Sequence, residues 1–164
     1  DFYIYEQLLR AMKDGKRQEK NCLRYLPIFR DATLKAVENF AGRLKRMADH
    51  YGIDPKYIEV EVTESVVVEN VDELKRVLSE LEKFGFRIAI DDFGTGYSNL
   101  HCIRDMNPSY VKMDRDFTAK AMNSDRDYEL YKNIIPMVHS INVRICAEGI
   151  EGKRWLLKMK RNEG

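Results

Sequence analysis

The stretch YIEVEV, residues 57–62, alternates polar and apolar side chains and so gives an extended chain one charged face and one apolar face. The stretch SYVKMD, residues 109–114, repeats this pattern. A doubly wound sheet is covered by helices on both faces and favours near-continuous apolar strands, whereas a barrel can direct polar side chains into its lumen. These two stretches therefore favour a barrel.

Strand-like and helix-like segments alternate along the whole chain. Two more strands are predicted at FRIAID (86–91) and VRICAE (143–148). Helices are predicted at 1–20, 33–51 (capped by Asp31 and Gly52), 70–85 (capped by Asn70), near Ser98, at 127–141 with a kink at Pro136, and at 153–160. Strands and helices in repeating units of about 25–35 residues predict a parallel sheet with helices outside it.

Composition excludes several functions. The 164 residues include 28 basic and 27 acidic side chains, and this balance gives no electrostatic reason to bind a DNA or RNA polymer or a membrane surface. The three cysteines show no C-x-x-C spacing, which argues against a disulfide framework and fits a reducing cytoplasm. No apolar run approaches the roughly 20 residues that span a bilayer. We therefore expect a cytoplasmic domain without membrane contact of its own, with any membrane link outside this chain.

Acidic residues and one lysine recur at the ends of the predicted strands. Glu61, Asp91, Asp92, Lys112 and Glu148 lie in or just after the C-terminal halves of these strands, at the rim where barrel enzymes keep their active sites. Converging carboxylates repel one another unless a hard cation such as Mg²⁺ or Mn²⁺ neutralises them. Two adjacent aspartates can hold two ions about 3.5–4 Å apart, a spacing that suits in-line attack on a phosphodiester.

Each of these residues also has an ordinary interpretation. An Asp-Asp pair before a glycine loop is typical of a helix cap or turn, and Lys112 alone is typical of an exposed edge strand. Glu61 alone is typical of the surface of an amphipathic strand, and Glu148 of a helix cap. Independent surface charges have no reason to recur at four consecutive strand ends, so a shared site is the better explanation. The three histidines lack metal-binding spacing and are predicted to be structural or exposed.

Four motifs together resemble a known family. EVTES (61–65), DDFGTGYSNL (91–100), VKMD (111–114) and AEGIE (147–151) resemble, in order and spacing, the signature motifs of the EAL-domain family, bacterial phosphodiesterases of the second messenger cyclic di-GMP. The resemblance covers roughly residues 33–164. It implies a modified (β/α)₈ TIM-type barrel, hydrolysis of cyclic di-GMP to linear pGpG, two Mg²⁺ or Mn²⁺ ions, and homodimers.

The resemblance also implies roles for single residues. Glu61 is similar to a metal ligand of the family, Asp91 to the ligand shared by two ions, and Asp92 and Glu148 to ligands of the second ion. Lys112 is similar to the residue that holds the nucleophilic water, and Glu148 also to a general base. Glu64 resembles the glutamate that fixes the following glycine loop. The loop that couples substrate, metals and dimer interface is matched by Phe93, Gly94, Thr95, Gly96, Tyr97 and Ser98.

Three departures from the family pattern concern activity. The family's Glu-Ala-Leu strand is not within the sequence that starts at Asp1, and the sequence ends before the family's last strand with its Q-G motif. Counting back from Glu61 without gaps puts Phe29 where the family has an asparagine ligand, and a short deletion in this region is the alternative explanation. A full barrel needs roughly 200–250 residues. We therefore expect one incomplete EAL-like domain over 1–164, a partial barrel lacking its first and last strands, with impaired phosphodiesterase activity. It is expected to be either a fragment of a longer protein or a degenerate, truncated relative. The alternative left open is an inactive domain that binds cyclic di-GMP or a protein partner.

Overall fold

The computed structural model describes residues 2–15, 24–28, 39–63, 71–95 and 99–150. Helices and strands alternate in an α/β architecture. The helices are α1 (Phe2–Gly15), α2 (Phe40–Tyr51), α3 (Val71–Lys83), α4 (Asn99–Met106), α5 (Arg115–Asn123) and α6 (Asp125–His139). The strands are β1 (Arg24–Ile28), β2 (Ile58–Thr63), β3 (Arg87–Phe93), β4 (Tyr110–Met113) and β5 (Arg144–Ala147). Neighbouring strands follow the order β1-β2-β3-β4-β5, and the pairs β1–β2 and β4–β5 are parallel.

The chain divides within β3 into two compact units, Asp1–Ala89 and Ile90–Gly164. In the first unit, the rings of Phe2, Tyr5 and Phe40 pack against one another between α1 and α2. Helix α2 ends at Gly52, whose φ of 66° is the left-handed conformation that glycine adopts at little cost. The apolar side of β2 is fully buried, because Ile58, Val60 and Val62 are all 0% exposed.

The second unit packs α5 and α6 beside β4 and β5. Strand β4 lies parallel to β5 from Tyr110 opposite Arg144 to Met113 opposite Ala147. Each helix begins at a side-chain cap. The Asp114 carboxylate accepts hydrogen bonds from the backbone N–H groups of Asp116 and Phe117, and the Ser124 hydroxyl accepts one from Asp127 N–H. Tyr131 of α6 is 1% exposed and its ring lies 5.7 Å from that of Phe117.

The predicted alternation of strands and helices is confirmed, and β2, β4 and β5 end within one residue of their predicted limits. Strand β3 continues past the predicted end at Asp91, so both aspartates belong to the strand. Strand β1 was missed because Pro27 interrupts it; proline lacks the N–H of a strand ladder and is found in edge strands.

The helix boundaries needed more correction. The helix predicted from residue 33 begins at Phe40, after Asn39 in a left-handed conformation with φ 69°. The helix predicted over 127–141 begins at Asp125 and ends at His139, and α5 was not predicted. Proposed features at 16–20 and 153–160, and the caps Asp31 and Asn70, lie outside the described residues. In the described part of the chain, no helix has the length and apolar character needed to cross a membrane.

Candidate functional site

Lys112 lies between two carboxylates at the ends of three strands. It alternates along β4 with Val111 and Met113, which are 0% exposed and fill the apolar side of the strand. Its own side chain is 13% exposed. The Lys112 Nζ lies 3.2 Å from Asp91 Oδ1 on β3 and 2.8 Å from Glu148 Oε1, just after β5. The interpretation of Lys112 as an exposed lysine is therefore wrong.

Main-chain hydrogen bonds bring the carboxyl ends of these strands level with one another. The N–H of Asp114, just after β4, donates to the carbonyl of Phe93 at the end of β3, with an N···O distance of 3.0 Å. The N–H of Glu148 donates to the carbonyl of Met113 over 3.1 Å. Because parallel strands place equivalent ends at one edge, the charges of Asp91, Lys112 and Glu148 meet there. The order across the three strands is negative, positive, negative.

The second aspartate sits in a conformation unusual for a strand. Asp92 has a φ of 58°, in the left-handed region that Asp and Asn enter more readily than most residues. In a regular strand, adjacent side chains point to opposite faces, and a positive φ interrupts this alternation. The Asp92 side chain therefore need not point to the face opposite that of Asp91. Its carbonyl accepts hydrogen bonds from the Thr95 hydroxyl at 2.9 Å and the Thr95 N–H at 3.3 Å.

The glycine loop is described only in its first half. Phe93 is 2% exposed, and Gly94 has a φ of 105°, which residues other than glycine rarely adopt. The remaining predicted loop residues, Gly96, Tyr97 and Ser98, lie outside the described residues, as do Glu64 and Phe29.

Glu61 belongs to the first unit, near the end of β2. It is 7% exposed, and Glu59 two residues earlier is 3% exposed. Charged side chains are rarely buried to this degree without a role or a partner. The alternative interpretation of Glu61 as a surface residue is therefore wrong.

The residues that support these acidic segments were not predicted from the sequence. Gly94 lies against Phe117, and Gly149, with a φ of 69°, lies against Arg115. Phe117 and Arg115 both belong to the first turn of α5, a helix that was not predicted from the sequence. The available signal was a glycine within two residues after each acidic segment, in DDFG and in AEG.

Carboxylate oxygens are the type of ligand that hard cations such as Mg²⁺ and Mn²⁺ take. Asp91 and Glu148 each place one such oxygen against the Lys112 ammonium. Within the ranges that the structure describes, no three His, Cys, Asp or Glu side chains are grouped closely enough to hold a metal ion by themselves. Mg²⁺ commonly completes its coordination with water and substrate phosphate.

Fold and site together define a class of protein: an α/β protein with a parallel, TIM-barrel-like arrangement and a charged cluster at the carboxyl ends of its strands. The family model that describes the EAL domain matches residues 1–161. The chain belongs to the EAL domain family.

Several known proteins are similar to the chain. It is 37% identical over 108 residues to the signaling protein YkoW of Bacillus subtilis, covering 66% of this chain and 14% of that protein. It is 33% identical over 124 residues to the cyclic di-GMP phosphodiesterase NbdA of Pseudomonas aeruginosa, covering 76% of this chain and 16% of that protein. The solved structure of the phosphodiesterase PaMucR in complex with c-di-GMP superposes with a TM-score of 0.81 at 26% identity, covering 98% of this chain and 64% of that one. The chain thus spans less than a fifth of the length of these two curated relatives.

Proposed function

We propose that this chain hydrolyses cyclic di-GMP to the linear dinucleotide pGpG. Membership of the EAL domain family supports the reaction class, and the similarity to a protein named as a cyclic di-GMP phosphodiesterase supports the substrate. The observation that carries the proposal is the position of Lys112, held between Asp91 and Glu148 at the carboxyl ends of three strands. An ammonium between two carboxylates can orient a water molecule toward a phosphodiester and offset the charge of the phosphate.

Each side chain of the site has a separate proposed role in the hydrolysis. Lys112 donates a hydrogen bond to the attacking water, and Glu148 accepts the proton that this water loses as its oxygen bonds to phosphorus. The ester bond to the leaving oxygen breaks in the same displacement, and this oxygen takes up a proton from solvent water to become the free hydroxyl of the linear product. Glu61, Asp91, Asp92 and Glu148 are proposed as the oxygen ligands of two Mg²⁺ or Mn²⁺ ions. Bound there, the ions would supply Lewis-acid stabilisation of the charge that develops on the phosphate.

Two further roles rest on the family resemblance. We propose that Glu64 fixes the loop from Phe93 to Ser98 and that this loop contacts the substrate and a second copy of the chain. A homodimer is supported by large apolar side chains that remain exposed in the described structure: Leu130 and Met137 of α6 are 55% and 41% exposed, and Ile141 just beyond it is 49% exposed. The proposed location is the cytoplasm.

The test is hydrolysis of cyclic di-GMP in the presence of Mn²⁺, with the products separated by chromatography. We expect linear pGpG from the wild type and none from Asp91→Asn, because the amide removes a charge that pairs with Lys112 and a proposed metal ligand. Asp49→Asn is the matched control, since Asp49 pairs with Lys45 on the exposed face of α2 and should retain full turnover. Equal turnover in Asp91→Asn and wild type would contradict the proposed metal role. Binding without turnover by folded wild-type protein would favour the inactive, ligand-binding alternative.

A further inference from the structure

The first turn of α5 contacts both acidic segments of the site. Helix α5 follows β4, so its start lies directly after the strand that carries Lys112. From this turn, Phe117 contacts the segment after Asp92, and Arg115 contacts the segment after Glu148. One short piece of chain therefore touches the acidic segments on both of its sides.

The contact with the first acidic segment is made at Gly94. A Cβ placed on Gly94 would lie 2.5 Å from Cδ1 and 2.7 Å from Cγ of the Phe117 ring. The ring thus occupies the space that any other side chain at position 94 would need. Phe117 is held from behind by Tyr131, at a ring distance of 5.7 Å, so it is a firm support for the left-handed turn that begins at Asp92.

The contact with the second acidic segment is made at Gly149. A Cβ placed on Gly149 would lie 3.1 Å from Cβ and 3.2 Å from Cδ of Arg115, and Cγ of Arg115 would be closer still. The aliphatic stem of the arginine, rather than its charged end, therefore fills this space. Because Gly149 directly follows Glu148, the stem limits where the Glu148 backbone can move.

The turn itself is fixed to the sheet. Asp114 caps α5 through hydrogen bonds from the N–H groups of Asp116 (2.9 Å) and Phe117 (3.0 Å), and its own N–H is bonded to Phe93 O. A capped helix start whose backbone is also bonded to the neighbouring strand has little freedom to shift. Contacts made by this turn are therefore able to set the spacing of the carboxylates.

We propose that Arg115 and Phe117 are positioning residues, and that the first turn of α5 holds Asp91 and Glu148 at the spacing that Lys112 bridges. The inference rests on the proposed phosphodiesterase function for its effect on turnover, but its structural part stands independently. Residues that only support a metal or catalytic ligand typically change affinity or activity 10- to 100-fold when they are replaced. Small displacements of reacting groups have effects of similar size.

The chain offers a matched pair of glycines for the test. Gly149 has a φ of 69° and Gly52 a φ of 66°, so both positions have the positive φ that strains alanine. A Cβ at Gly52 meets nothing within 4 Å, whereas a Cβ at Gly149 meets the stem of Arg115. We expect Gly149→Ala to lower kcat for cyclic di-GMP about 30- to 100-fold with KM changed less than about threefold. Gly52→Ala should keep kcat within about twofold.

The second arm replaces the partner. Arg115→Ala removes Cγ and Cδ, so the double variant Arg115→Ala/Gly149→Ala should recover at least about tenfold in kcat over Gly149→Ala alone. Arg115→Lys keeps the same three stem carbons and should retain more than about half of the wild-type turnover. Equal kcat in Gly149→Ala and Gly52→Ala, or no recovery in the double variant, would overturn the positioning role.

Hydrogen exchange separates this inference from the proposed function. The Glu148 N–H is bonded to Met113 O, so its exchange rate reports how firmly the second acidic segment is held. We expect this amide to exchange at least about tenfold faster in Gly149→Ala than in Gly52→Ala. Faster exchange in a protein whose wild type does not hydrolyse cyclic di-GMP would reject the proposed function and keep the inference. Unchanged exchange would reject the inference whatever the turnover.

Discussion

Replacing Lys112 with methionine removes the only charge that separates two carboxylates in the described site. The Lys112 Nζ lies 3.2 Å from the Asp91 oxygen and 2.8 Å from the Glu148 oxygen, so these two oxygens are at most about 6 Å apart. Two unit charges at that distance repel by about 3 kcal/mol at an effective dielectric constant near 20, and by about 0.7 kcal/mol in water. The Glu148 side chain is 38% exposed, which favours the lower half of that range. We expect Lys112→Met to lower the free energy of unfolding by about 1–2 kcal/mol at pH 7.

The measurement is urea denaturation at pH 7. Lys132→Met is the control, because Lys132 pairs with Glu129 on the surface of α6 at 3.4 Å, with the two side chains 42% and 60% exposed. Such exposed pairs contribute at most about 0.5 kcal/mol. Equal losses in the two variants at pH 7 would refute the reasoning.

Two further predictions concern the second unit. Burial raises the pKa of the Tyr131 hydroxyl above its ordinary value of 10.0. Above pH 10 the folded state therefore keeps a proton that the unfolded state loses, so the contribution of Tyr131 to the free energy of unfolding is fully present below pH 10 and is lost as the pH rises above it. In urea denaturation between pH 9 and 11, the free energy of unfolding should fall less steeply with pH in Tyr131→Phe than in wild type. Parallel pH dependences of the two proteins would contradict this. Asp114→Ala removes the α5 cap from the N–H groups of Asp116 and Phe117 and should lower the free energy of unfolding by about 1 kcal/mol, whereas Asp114→Asn keeps an accepting oxygen and should lose less than half of that. Equal losses in the two Asp114 variants by calorimetry would show that the cap is not the cause.

Periodicity was sufficient to find the strands that carry the site. The alternation around Glu61 and Lys112 is a local signal, because in a strand with one buried apolar face it follows directly from the side-chain period of two. The grouping of Asp91, Lys112 and Glu148 also followed from topology, since equivalent ends of parallel strands share one edge. Strand β1 lacked such a signal because Pro27 breaks its pattern.

The contacts that support the site could not be predicted in the same way. The pairs Gly94–Phe117 and Gly149–Arg115 join residues that are 23 and 34 positions apart, and their closeness depends on where α5 begins. That start is set by Asp114, whose carboxylate caps the helix. In the sequence, Asp114 reads equally well as the last residue of strand 109–114, so the local pattern did not distinguish a strand end from a helix cap.

The alternating charges on β3, β4 and β5 also affect how this region can change during evolution. Loss of Lys112 alone leaves Asp91 and Glu148 facing each other, and loss of either acid removes a partner of a lysine that is 13% exposed. Selection for a stable fold is therefore enough to retain all three residues in a lineage that has lost catalysis. Asp92 is different, because Asn also enters the left-handed region that Asp92 occupies. Among related sequences, retention of aspartate at position 92 is thus better evidence of selection for catalysis than retention of Asp91, Lys112 and Glu148.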